Sequence, residues 1–140
     1  MNVEISSQET RNCFNKKINS ISLIDNKINI VFEDNTTLII EDSGQSCCEI
    51  RYIVIDNDNL NYFVNSTFRG LDLLRVENKD QHKLSPSEKE IKEHELSSED
   101  YFSFEVVFLE IRTSKGSISF STRNSHNGYY GGFTLKISLK

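Results

Sequence analysis

From Lys16 to Glu41 apolar and polar residues alternate, with Ile18, Ile21 and Leu23, then Ile28, Ile30 and Phe32, then Leu38 and Ile40. A period of two puts one face of an extended chain into an interior, so these runs predict strands. Asp25-Asn26-Lys27 and Asp34-Asn35 interrupt the alternation with residues that tolerate turn backbones, and the first third reads as a three-stranded meander. After Ser43-Gly44-Gln45, the stretch from Cys47 to Ile55 is β-branched and aromatic enough for a fourth strand, which Asp56-Asn57-Asp58-Asn59 ends. Leu60 to Val64 fits a single helical turn capped by Asp58 or Asn59, and Leu71 to Val76 a further strand. Tyr101 to Thr113 and Ser117 to Arg123 pair across a turn at Lys115-Gly116, and Phe133 to Leu139 closes the sheet. Every strong element is a strand with short connections. The expected fold is all-β, or β-rich α+β: an antiparallel meander curled into a sandwich or partial barrel.

Residues 78–100 break this pattern. They are dense in charge, hold Pro86, the one proline, and contain few large apolar residues, so they read as a long mobile loop. Helical character is expected from Ser87 to Glu95, where Ser87 and Glu90 have capping-box spacing. Residues 1–15 read as a flexible N-terminal segment, and 16–140 as one domain.

Composition narrows the function classes. A chain of 140 residues can bury one core without metal or disulfide staples. The net charge of −5 argues against wrapping long nucleic acid, whose phosphates need clustered Lys and Arg. The polar N-terminus lacks the apolar centre of a signal peptide, and no run reaches transmembrane length, so a soluble cytoplasmic protein is expected. Cys13, Cys47 and Cys48 are an odd number without framework spacing, which suits reduced thiols.

Candidate chemistry concentrates in two places. Asn124-Ser125-His126-Asn127-Gly128-Tyr129-Tyr130-Gly131-Gly132-Phe133 packs three glycines, two tyrosines, a histidine and two asparagines into ten residues. Glycine lets backbone approach a ligand, and exposed tyrosine rings stack on planar groups. One reading is a turn whose tyrosines merely cover the end of the sheet. The sharper reading is a nucleotide site: Tyr129 or Tyr130 stacks on a base, Asn124, His126 and Asn127 read polar edges, and the Gly131 and Gly132 amides meet phosphate. Arg51, Arg69, Arg75, Arg112 and Arg123 are candidate counter-charges, Arg123 being nearest in sequence.

The other place is Cys47-Cys48-Glu49. Neighbouring side chains on a strand point to opposite faces, so the two thiols cannot easily serve one metal. The bland reading makes one cysteine a small core residue while the other faces a pocket. Cys47 or Cys48 with His126 and Asn127 supplies the residue types of a thiol hydrolase, but there is no nucleophile elbow, paired-carboxylate signature or Walker loop. His82, His94 and His126 are too scattered to predict zinc. A non-enzymatic protein without metal or cofactor is expected.

The segments Gly44-Gln45-Ser46-Cys47-Cys48-Glu49, Asp56-Asn57-Asp58-Asn59-Leu60 and His126-Asn127-Gly128-Tyr129-Tyr130-Gly131-Gly132-Phe133 together resemble a small domain of uncharacterised function found in bacteriophage and bacterial genomes. The resemblance runs from about Ile18 to the C-terminus. It departs at Phe104, near which the family often has a polar residue such as histidine. It implies no activity, but its phage setting implies a host-directed role such as counter-defence. The expectation is a homo-oligomeric binder, built through an unpaired edge strand, that sequesters a host cyclic or modified nucleotide immune signal. The alternative is an interaction module that inhibits a host effector through the acidic loop or an exposed edge, and behind both stands a cysteine-dependent enzyme.

Overall fold

The computed structural model describes residues 3–44, 49–78, 85–96, 103–126 and 132–140. Strand β1 (Val3–Glu4) and helix α1 (Gln8–Cys13) precede a hairpin-rich body of β2 (Ile18–Ile24), β3 (Lys27–Phe32), β4 (Thr37–Asp42) and β5 (Glu49–Ile55). A single 3-10 turn (Leu60–Phe63) leads into β6 (Phe68–Asn78), helix α2 (Glu88–Glu93), β7 (Ser103–Thr113), β8 (Gly116–His126) and β9 (Leu135–Leu139). The strands form two antiparallel sheets, β1-β6-β7-β8-β5 and β2-β3-β4-β9, packed face to face as a sandwich. The meander of β2, β3 and β4 is as expected, and β9 closes that smaller sheet by pairing with β4.

The turns follow from residue type. Asp25 and Asn26 both take positive φ (53° and 58°), the geometry that a two-residue hairpin needs and that Asp and Asn tolerate. The Asn26 side chain then bridges the sheets: its amide donates to the Arg51 carbonyl at 3.0 Å and accepts from the Ile53 N–H at 2.8 Å. It thereby occupies backbone groups on the outer edge of β5. Between the sheets lies a core of Ile28, Ile30, Phe32, Leu38 and Ile40 against Leu71, Leu109, Ile111, Ile118 and Phe120, all at most 1% exposed.

Two segments differ from the sequence expectation. Residues 1–15 were expected to be flexible, yet β1 pairs with β6, and α1 is capped at both the Ser7 hydroxyl and the Thr10 side chain. The reason is Cys13, which is fully buried in the main core and pins the helix. Burial pushes the Cys13 thiol up, making it inert at neutral pH. Within the expected mobile loop, residues 85–96 carry α2, with Ser87 as N-cap accepting from the Glu90 N–H. This helix covers the outer face of the larger sheet, where Ile91 and Leu96 meet Tyr52, Phe104 and Val106.

Glu90 fastens the cover. One carboxylate oxygen accepts from the Tyr52 hydroxyl at 2.6 Å, and the other meets Arg123 Nη1 at 2.6 Å. His94 stacks on Tyr52 with centroids 4.0 Å apart. Burial first, and the hydrogen bond to Glu90 second, hold the Tyr52 hydroxyl well above its usual pKa, so it stays a donor.

Glu90→Ala should cost about 3 kcal/mol in urea unfolding, because it strands a half-buried guanidinium and a buried phenol. Glu90→Gln should recover part of that loss. A change below 0.5 kcal/mol, roughly that of a neutral surface substitution, would mean that the helix is held by apolar contact alone. Alkylation followed by peptide mapping should leave Cys13 unmodified in the native protein and label it after unfolding.

Candidate functional site

The inward-facing rows of four strands change character at the same end of the sandwich. On β8 the row runs Ile118, Phe120, Thr122, Asn124, His126, and on β7 it runs Ile111, Leu109, Val107, Glu105. On β5 it runs Ile55, Ile53, Arg51, Glu49, and on β4 it runs Leu38, Ile40, Asp42. Strand alternation keeps each row on one face, so apolar residues fill one end of the interior and polar ones the other. Register brings Glu49 opposite His126, and Arg51 and Glu105 on either side of Asn124.

These side chains form one continuous network. Arg51 Nη1 meets Asp42 Oδ1 at 2.8 Å, and Nη2 meets Glu49 Oε2 at 3.1 Å. Asn124 Nδ2 donates to Glu49 Oε2 at 2.7 Å and to the Gly132 carbonyl at 3.0 Å. The Gly132 N–H donates to Glu105 Oε1 at 3.4 Å, and that oxygen lies 2.7 Å from His126 Nε2. Asp42 Oδ1 also accepts from the backbone of Gly44 and Thr134. The side chains of Arg51, Asp42 and Glu49 are 7%, 1% and 0% exposed, so the ion pairs sit out of water. Burial pulls the Arg51 pKa down, but the hydrogen bonds to Asp42 and Glu49 outweigh it and leave the guanidinium more firmly protonated than in water.

Gly44 is required by this geometry. A Cβ there would stand 2.5 Å from Arg51 Nη1 and 2.9 Å from Thr134 Oγ1, so a side chain would push the guanidinium off its carboxylates. Three buried atoms of the network, Asp42 Oδ2, Arg51 Nε and Asn124 Oδ1, have no hydrogen-bond partner among the described residues. Two acceptors and one donor are thus left over where desolvation is most costly.

Of the residues singled out from sequence, Glu49, Asn124, His126 and Gly132 come together here. Asn127, Tyr129, Tyr130, Gly131, Cys47 and Cys48 lie outside the described residues. The chain that carries them is rooted in the network at both ends, 45–48 between Gly44 and Glu49 and 127–131 between His126 and Gly132. Arg123 does not join them. It follows Thr122 and precedes Asn124 on β8, so alternation sends it to the outer face, where it binds Glu90 and lies over Phe104. The counter-charge in the network is Arg51. Asp42 and Glu105 were missed, although each ends an alternating apolar row in the inward parity, which is the signal that could have found them. Among the described residues no group of three or more His, Cys, Asp or Glu side chains is placed to hold a metal. No helix among them is long and apolar enough to cross a membrane.

Arg51→Met should destabilise by about 3–5 kcal/mol, since it leaves buried Asp42 without a counter-charge. The double variant with Asp42→Leu should regain more than 1 kcal/mol relative to additivity. Additive losses would show the pair to be energetically independent. Gly44→Ala should act in the same direction as Arg51→Met, with a smaller amplitude.

No curated protein and no solved structure matches the chain. A family model does, over residues 11–135, which take in the hairpins, the network and both segments rooted in it. The chain belongs to the family of the domain of unknown function DUF7448.

Proposed function

We propose that the protein binds a small nucleotide-type ligand at the polar end of the sandwich and sequesters it without turnover. The observation that supports this reading is the buried network with unpartnered Asp42 Oδ2, Asn124 Oδ1 and Arg51 Nε. A purely structural interior would gain by replacing such groups with apolar ones. Carboxylate and amide acceptors favour a ligand edge rich in N–H groups, such as a purine base. The network's carboxylates, Asp42, Glu49 and Glu105, oppose a phosphate entering there. The ligand therefore enters base first, with Tyr129 or Tyr130 supplying the stacking surface and the phosphates directed outward.

The non-catalytic half of the reading rests on the sequence, which offers no complete catalytic constellation. The resemblance to a phage-borne domain supports a host cyclic or modified nucleotide immune signal as the ligand. A second subunit joined along the outer edge of β9 would close the site, since β9 lies beside Asp42 through its Leu135 partner. The runner-up, an interaction module, draws on Leu23 and Ile24 of outer strand β2, which are 39% and 57% exposed.

Thermal shift against cyclic dinucleotides, cyclic ADP-ribose isomers and mononucleotides should show at least one stabilising ligand, recovered intact by mass analysis. Tyr129→Ala or Tyr130→Ala should reduce that shift while leaving the unliganded melting temperature unchanged. No shift across the panel would transfer the assignment to a protein partner, and a converted ligand would make the protein an enzyme.

A further inference from the structure

A second site lies towards the other end of the molecule. Helix α1 docks beside β6, and between them opens a surface pocket of about 290 Å³ lined by Glu4, Thr10, Arg11, Phe14, Arg69 and Gly70. Phe14 is 54% exposed, a costly position for a phenyl ring. The Arg69 guanidinium stands 5.9 Å from its centroid.

The charge pattern is what marks this pocket. The chain has arginines at 11, 51, 69, 75, 112 and 123, and carboxylates outnumber cations, 21 to 16. Arg51, Arg75, Arg112 and Arg123 each meet a carboxylate. Arg11 and Arg69 do not, among the described residues: Arg11 bonds Ser6 and Gln8, and Arg69 bonds Thr67, all neutral oxygens. The two arginines without acidic partners therefore meet at one pocket, beside the exposed ring. The carboxylate on the rim, Glu4, is itself faced by Arg112 Nη2 at 3.6 Å, which offsets its charge.

We infer that this pocket binds a small phosphate monoester carrying a planar ring. Two guanidinium forks match the oxygens of a phosphate, and Phe14 offers its face to the ring. The nearby Glu4 disfavours di- and triphosphates, which would crowd further negative charge against it. The pocket is distinct from the polar network. Arg112, packed against Gly70, and Glu105 are seven positions apart on β7, roughly 23 Å of strand.

The test is calorimetric titration of the full chain, in a buffer free of phosphate, with AMP, phenyl phosphate, adenosine and inorganic phosphate. AMP and phenyl phosphate should bind at least about tenfold more tightly than adenosine, which lacks the charge-assisted contacts, and than inorganic phosphate, which lacks the ring that meets Phe14. Arg69→Ala and Phe14→Ala should each weaken binding by about tenfold with an unchanged melting temperature, since both side chains are exposed. Absence of heat at millimolar ligand would overturn the assignment. So would binding that survives both variants, and if that binding is lost on Tyr129→Ala it belongs to the opposite end of the molecule.

Discussion

The Arg51 guanidinium, held between Asp42 of one sheet and Glu49 of the other, is the contact on which the polar end of this sandwich depends. Across the core, dispersion and hydrophobic burial join the sheets, and those forces carry no direction. Here the join is directional: a planar cation faces two carboxylates, and Gly44 is bare so that nothing stands in the way. Desolvating three charges is costly, so the pairing gives specificity of placement more than net stability. It fixes how β4 and β5 approach one another, and hence where the chain between them leaves and returns.

The two faces of the larger sheet are coupled through strand alternation. Tyr52 and Arg123 hold α2 on the outside, while their chain neighbours Arg51 and Asn124 belong to the network within. The backbone positions that set the inner geometry are thus clamped from behind by Glu90. Side chains on both faces thus hold this end of the sheet in one arrangement, the kind of preorganisation that the proposed ligand site would draw on.

Much of the fold was legible because alternation is a local signal. The rows Ile28-Ile30-Phe32 and Leu38-Ile40 announce their strands without outside help, and Asp25-Asn26 announces its turn. A sandwich was among the expected packings, but which strands share a sheet was not legible, because it depends on β9 pairing with β4 across some ninety residues of chain, and no local pattern encodes that. The flexible reading of residues 1–15 failed because a short polar helix is stabilised by burying Thr10 and Cys13, whose environment is tertiary. At the site, Glu49, Asn124 and His126 were visible as motif members. Arg51 was one of several arginines until register placed it. Arg123 was misplaced because proximity in sequence was given more weight than the parity of its strand position.

Asn26 has a consequence for how the chain reaches this structure. Its carboxamide satisfies the outward carbonyl of Arg51 and N–H of Ile53, groups that on a partly folded chain form an open template for another molecule's strand. The β2–β3 hairpin that carries Asn26 joins neighbouring segments and closes on the microsecond scale, whereas the larger sheet needs distant strands to meet. The guard thus needs only local contacts to form, whereas the edge it covers needs distant ones.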